Sequence, residues 1–167
     1  MSESGARLAG QIAVSIAAIR DLGPAIVAAA PLSADARLGP DEDAWGPREV
    51  LAHVTEAVGF WHGEIERVLA ADSNGPLPWF GRGPDDAARV ANIARDHDLP
   101  GAVLLGRLER EGDAAVARIA RLTPDELARA GRHPSWGEMT VGEIVEHTLA
   151  KHLAGHVDQL RDLIAAE

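Results

Sequence analysis

Apolar residues recur every three or four positions in four long segments of the chain, the spacing that places them on one face of an α-helix. These stripes lie between residues 8 and 26, 50 and 68, 104 and 122, and 141 and 163. Polar residues occupy most of the positions between the apolar ones. The pattern therefore predicts four amphipathic helices, each with one face directed toward a shared core.

Proline and capping residues indicate where three of these helices begin or bend. Pro24, which follows a glycine, is expected to kink or interrupt the first helix. Pro47 suits the first turn of the second helix, which is predicted to end near Ala71. Thr140 and Glu143 stand three residues apart and form a capping box, which predicts the start of the fourth helix.

The segments that join the long helices are short or rich in Gly and Pro. Residues 72–83 are predicted to form a loop, and a short helix is predicted over 84–96. Residues 123–127, "TPDEL", indicate a single capped turn, and a loop that contains Trp136 follows. Nothing alternates with period two over a useful length. We therefore predict an all-α fold, an antiparallel four-helix bundle with a short extra helix in a crossover, as a single domain over 1–167.

The charge and composition exclude several classes of partner. The formal net charge is −10, which disfavours binding to a phosphate backbone. No apolar run approaches the ~20 residues that span a bilayer, and the N-terminus lacks the features of a secretory signal. Cysteine is absent, so the chain has no disulfide and no nucleophilic thiol of its own. We expect a cytoplasmic protein without a membrane or nucleic-acid partner.

Three histidines occupy core stripes where leucine would be ordinary. His152 and His156 differ by about 40° around a helix and therefore stack on the inner face of the fourth helix. His53 lies on the core stripe of the second helix. An unpaired imidazole nitrogen in a core costs about 1–3 kcal/mol, and a divalent metal would satisfy all three rings together. The alternative is that each ring is a core histidine with its own hydrogen-bond partner.

The other histidines are predicted to have no part in such a site. His147 lies about 140° around an ideal helix from the next histidine along the chain, and is expected at the surface or a flank. His62 points away from the core stripe of its helix. His97 and His133 are expected in loops or at helix ends.

Two segments together carry a resemblance to a known family. "WGPREVLAHV" at 45–54, followed about a hundred residues later by "EHTLAKHLAGHVDQL", resembles the DinB-like family of metal-binding four-helix bundles. In that family a Trp precedes the second helix, an inward His of that helix joins an HxxxH pair in the last helix, and a Gln often follows. These positions correspond to Trp45, His53, His152, His156 and Gln159. The resemblance implies three histidine ligands for nickel, zinc or a similar divalent ion, and a homodimer.

The resemblance also implies a range of activities. Some members are transferases or isomerases that use mycothiol, bacillithiol or glutathione, and others have no established activity. Mycothiol-dependent maleylpyruvate isomerase typically has Glu where this chain has His152, which disfavours that particular reaction. Three neutral ligands would leave the metal cationic, with an open position to hold and deprotonate a thiol or water. Because the chain has no cysteine, the thiol must come from a small molecule, with mycothiol as first candidate.

We therefore predict a divalent-metal-dependent enzyme, a thiol-dependent S-transferase or isomerase acting on a small electrophile. A metal-dependent hydrolase and a non-catalytic metal- or ligand-binding bundle are the alternatives. Glu56, His147 and Gln159 are close enough in sequence to orient the ligands or to transfer protons, or they are structural. Trp79 and Phe80 either cover the site or fill a hydrophobic gap.

Overall fold

The computed structural model describes residues 2–32, 44–96 and 98–166. Its elements, in chain order, are α1 (Glu3–Ala28), α2 (Pro47–Ala70), α3 (Ala87–Asp96), α4 (Gly101–Ile119), α5 (Pro124–Ala128), β1 (Ala130–His133), β2 (Gly137–Thr140) and α6. Helix α6 is continuous from Val141–Val145 through a π-helical stretch, Glu146–Lys151, into His152–Ala165. The prediction of an all-α bundle is confirmed.

The four long helices pack in a ring around one core. α1 and α2 each contact both α4 and α6. The apolar stripes lie inside: Ile12, Ile19, Leu104 and Leu149 are all 0–2% exposed. Each such side chain stabilises the fold by about 1.5–3 kcal/mol through burial. The packing of α2 against α6 brings together the two helices that carry the candidate ligands.

Helix α1 differs from its sequence-based prediction in two respects. It continues through Pro24, so of the two expectations for this residue the interruption is wrong, while a kink stays a prediction. Proline removes one backbone hydrogen bond, and Ile19 and Ile26, both buried, hold the helix against the core on either side of it. The helix is also long and apolar enough to cross a membrane by length and composition, contrary to expectation, and 33% of the apolar window is buried. A core helix of a bundle meets the same criterion.

The shorter helices follow their capping residues. α3 begins at Ala87, a turn later than predicted, because the Asp86 carboxylate accepts a hydrogen bond from the Arg89 N–H at 2.9 Å and caps the helix. The predicted single turn is present as α5, with a capping box between Thr123 and Glu126. The prediction for His97 concerns a residue outside those that the structure describes.

A β-hairpin replaces the predicted loop around Trp136. Strands β1 and β2 pair antiparallel, and Gly137 adopts a φ of 78° in the turn, a conformation that favours glycine. Strands of four residues are too short to give a readable alternation. The 72–83 loop supports the hairpin, since Arg132 exchanges backbone hydrogen bonds with Pro78 and Phe80.

The π-helical stretch in α6 changes which side chains share a face. Hydrogen bonds from i to i+5 widen the turn, so a residue five positions away returns to nearly the same side. The hydroxyl of Thr148, in this stretch, donates to the carbonyl of Ile144, in the α-helical turn before it, at 2.7 Å. His147 and His152, five positions apart, accordingly both line one cavity.

Candidate metal centre

The three histidines of the core stripes meet between α2 and α6. Nε2 of His152 lies 3.0 Å from Nε2 of His53 and 3.0 Å from Nε2 of His156. Potential ligand nitrogens of all three rings lie within 4.8 Å of one another. His53 is 3% exposed and His156 is 6% exposed. The structure thus brings together the three residues that the sequence singled out.

Hydrogen bonding alone does not account for this convergence. His156 Nδ1 donates to Gln159 Oε1 at 2.8 Å, so a neutral His156 directs a lone pair from Nε2. His152 Nε2 touches two nitrogens and carries at most one hydrogen. In every neutral arrangement, therefore, one of the two contacts lacks a well-directed hydrogen. A cation at the meeting point would accept all three lone pairs.

The spacing of the nitrogens fits a metal. With metal–nitrogen bonds of about 2.0–2.1 Å, two ligands at right angles lie about 3.0 Å apart, and two at the tetrahedral angle about 3.4 Å apart. The two Nε2 contacts of His152 fall at the lower of these values. Gln159 fixes the ring orientation and tautomer of His156, as hydrogen-bond partners of ligating histidines do. The residues present therefore fit a divalent ion.

Burial keeps the imidazoles in the form that binds metal. Burial is the main cause that lowers the pKa of His152 to about 3, with smaller effects from the charges of His156 and Arg89. The pKa of His53 is lowered well below its ordinary value, again mainly by burial and then by the neighbouring rings. Both rings are consequently neutral near pH 7, and their lone pairs are available for coordination.

Trp45 occupies the position that the resemblance assigns to it. Its ring is 3% exposed and packs edge-on against His53 with centroids 5.2 Å apart. Trp45 thereby restricts the rotation of the ring. The guanidinium of Arg89 lies 5.4 Å from the centroid of Trp45, which links α3 to the same cluster.

A cavity of about 310 Å³ reaches His53 and His152. Thr148 and Trp136 form part of its wall. His147 is exposed, as predicted, but it also lines this cavity, and its ring lies edge-on to Trp136 with centroids 4.6 Å apart. Two of the three candidate ligands, His53 and His152, are therefore accessible from the cavity to a small molecule.

Glu56 lies on the cavity wall one turn after His53. Its carboxylate oxygens each accept a hydrogen bond from Arg82 Nη2 at 2.5 Å, and Asn92 Nδ2 donates to Oε1 at 3.2 Å. Glu56 is thus an ion-paired residue beside the site. Arg82 and Arg89 could not be predicted as site residues from the sequence, because neither lies on a core stripe and the loop that carries Arg82 has no helical period.

An aromatic group that the sequence did not predict lies beside the cavity, and two of its members, Trp61 and Trp136, form part of the wall. His133 is 2% exposed and stacks on Trp136 with centroids 3.8 Å apart and planes 12° apart. Trp61 stacks on Trp136 at 5.9 Å. Burial lowers the pKa of His133. The signal was weak in the sequence because the hairpin that holds His133 is so short.

Phe80, Trp79 and His62 lie away from the cavity. Phe80 is 1% exposed and fills a hydrophobic gap in the core. Trp79 is 62% exposed. His62 is half-buried. None of these three residues is among the described residues that line the cavity.

A helical bundle in which two helices direct three imidazoles to one point belongs to the class of bundles that build metal sites in their cores. A sequence model of the DinB superfamily matches residues 26–160, and the chain belongs to that superfamily. No curated protein and no solved structure matches the chain.

Proposed function

We propose that the protein is a divalent-metal-dependent enzyme that transfers a low-molecular-weight thiol to a small electrophile. His53, His152 and His156 would hold the ion, with nickel or zinc as the first candidates. The observation that supports this proposal is the convergence of three Nε2 atoms beside an accessible cavity that His53 and His152 line. A bound divalent ion supplies a Lewis acid that favours the deprotonated form of a thiol or water.

The chain's own residues would orient the reactants. Gln159 holds His156 in the tautomer that directs Nε2 inward. Trp61 and Trp136 offer an apolar wall that limits the access of water to the reacting groups. His147 is exposed at the cavity and lies in reach of solvent, so its ring can pass a proton between the cavity and bulk water.

The cavity limits the size of the reactants. Its volume of about 310 Å³ corresponds to roughly ten water molecules at ≈ 30 Å³ each. The sulfur end of a thiol and a small electrophile fill that space, while the rest of a large thiol such as mycothiol extends outside. We further propose a cytoplasmic location, because thiols are kept reduced there, and a homodimer, as in the family.

The metal site is tested by metal content. Purified protein should carry about one divalent ion per chain, measured by mass spectrometry. Ligand loss should abolish binding in His53→Ala and His156→Ala. His62→Ala removes an imidazole from α2 outside the cavity lining and should keep the ion. Unchanged metal content in the two ligand variants would contradict the proposed triad.

The reaction is tested by turnover. Mycothiol, bacillithiol, glutathione and coenzyme A are each offered with an aryl halide or an epoxide to metal-loaded, metal-free and His152→Ala protein. We expect metal-dependent thiol conjugation, greatest with mycothiol, and its loss in His152→Ala. Metal-dependent ester or amide hydrolysis without thiol transfer would favour the hydrolase. If the protein catalyses neither reaction, the non-catalytic binding bundle is favoured.

A further inference from the structure

Two arginines line the cavity beside the triad: Arg82, in the loop between α2 and α3, and Arg89, on α3. Both charges act against protonation of His53. A guanidinium is permanently charged, and a cation close to a metal site weakens metal binding by repulsion. Arg82 is ion-paired with Glu56, and Arg89 Nη1 donates to the Pro84 carbonyl at 2.8 Å. The two arginines still outnumber the one carboxylate among the described lining residues, so this wall of the cavity keeps a positive charge that suits an anion.

The position of Arg82 is fixed by the loop that carries it. The preceding residue, Gly81, has a φ of 77°, and a Cβ built there would lie 2.2 Å from the His133 ring. The Gly81 N–H donates to the Glu64 carboxylate at 2.6 Å. Phe80 anchors the loop in the core. Arg82 is thus held in place before any ligand enters, which lowers the entropic cost of binding.

The guanidinium of Arg82 keeps donors for a ligand. Glu56 binds only its Nη2 atom, and the Phe60 ring lies beneath it, 3.7 Å from the guanidinium carbon. A guanidinium has five N–H donors. Within the part of the chain that the structure describes, Nη1 has an ion-pair contact with Asp86 at 3.8 Å, which is longer than a hydrogen bond. Nη1 is not bound by Glu56, so its N–H groups can donate a charge-assisted hydrogen bond to a carboxylate oxygen.

The other side of the cavity suits an apolar group. Trp61 and Trp136 both line it, and the indoles stack with planes 25° apart. Glu56 is the only carboxylate among the described lining residues, and it is already bound by Arg82. The cavity therefore combines a cationic wall, an aromatic wall and a volume of about 310 Å³.

We propose that the cavity binds a small carboxylic acid, whose carboxylate pairs with Arg82 on the side of Arg89 and whose apolar body lies against Trp61 and Trp136. Small carboxylic acids would then be the substrate class of the proposed enzyme, and that part of the proposal rests on the proposed function. Binding of the acid itself requires only the arginines and the aromatic wall.

The test compares benzoate with its neutral analogue benzamide. Binding to metal-loaded and metal-free protein is followed by calorimetry and by quenching of tryptophan fluorescence. We expect benzoate to bind about tenfold more tightly than benzamide, because a hydrogen bond between two charged groups is stronger than one to a neutral amide. Arg82→Gln should remove this preference and leave benzamide binding unchanged, and Arg82→Lys should keep part of it.

Arg121→Gln is the matched control, since it removes the same charge at an exposed position outside the cavity lining. It should leave the preference intact. If Arg82→Gln does not fold, as judged by its melting curve, Arg82→Lys and Arg89→Lys give the answer. Equal affinities for benzoate and benzamide, no saturable binding of benzoate, or a preference untouched in all Arg82 variants would overturn the proposal.

Metal content, measured on the same samples, separates this proposal from the proposed function. If the protein binds no metal but keeps an Arg82-dependent preference for benzoate, the acid site is supported and the proposed metalloenzyme is contradicted. If the protein binds metal but lacks that preference, the metal centre is supported and the acid site is contradicted.

Discussion

Protons and a metal ion compete for the same lone pairs at the ring nitrogens of the triad. His53 and His152 stand in a core that disfavours their charged forms. The structure meets this constraint by directing Nε2 of each ring to one point. Such rings accept a metal readily and a proton poorly, so their behaviour on acidification is informative.

In the metal-free protein we expect stability to fall with pH. In the unfolded chain His152 takes up a proton near the reference pKa of ~6.5, whereas in the folded protein its pKa is about 3. The unfolded state therefore binds more protons between these values, and the free energy of unfolding decreases as pH falls through that window, by up to about 1.4 kcal/mol per pH unit for each such histidine. Urea unfolding at pH 7, 6 and 5, in the presence of a chelator, measures this decrease in the free energy of unfolding.

The control for this pH dependence is His152→Leu, which removes one of the two histidines with a strongly lowered pKa. In that variant the unfolding reaction should take up about one proton fewer, so the slope of unfolding free energy against pH should decrease by up to about 1.4 kcal/mol per pH unit. His62→Ala should keep the slope of the parent, since no core position is changed. Equal slopes in His152→Leu and the parent would contradict the assignment.

At the scale of elements, the long helices could be predicted and the irregular elements could not. The stripes of α1, α2, α4 and α6 recur over many turns, and the capping box of Thr140 and Glu143 is local, so both are visible in the sequence. The π-helical stretch adds no sequence signal of its own, and the hairpin depends on backbone contacts with the distant segment 78–80. His53, His152 and His156 were found because they lie on stripes; Arg82 was missed because it lies on a loop.

The loop that positions Arg82 should be sensitive at Gly81. Gly81→Ala places a side chain at positive φ and against the His133 ring, and we expect it to destabilise the fold by more than about 1–2 kcal/mol, the cost of a left-handed conformation alone. The matched change is Gly63→Ala in α2, where a Cβ meets nothing within 4 Å. There the same substitution should stabilise the helix by up to about 1 kcal/mol. Denaturant unfolding compares the two, and similar effects would contradict the conformation described for Gly81.

At the scale of the whole molecule, the candidate ligands join two helices that are distant in sequence. His53 lies on α2, and His152 and His156 lie on α6. An ion bound by all three would hold these helices together and would be absent from the unfolded chain. Its binding energy would then add to the stability of the bundle.

Metal-loaded protein should consequently melt at a higher temperature than metal-free protein. Free metal at a hundred times its Kd stabilises the fold by about 2.7 kcal/mol, which corresponds to roughly 5–10 °C in Tm for a chain of this size. His156→Ala leaves a ligand on each helix but breaks the triad, so most of the metal-induced shift should be lost. His62→Ala should retain it. Scanning calorimetry of the three proteins with and without chelator gives their melting temperatures. Identical melting of the metal-loaded and metal-free parent protein across pH 5 to 8 would show that the ion does not hold α2 to α6.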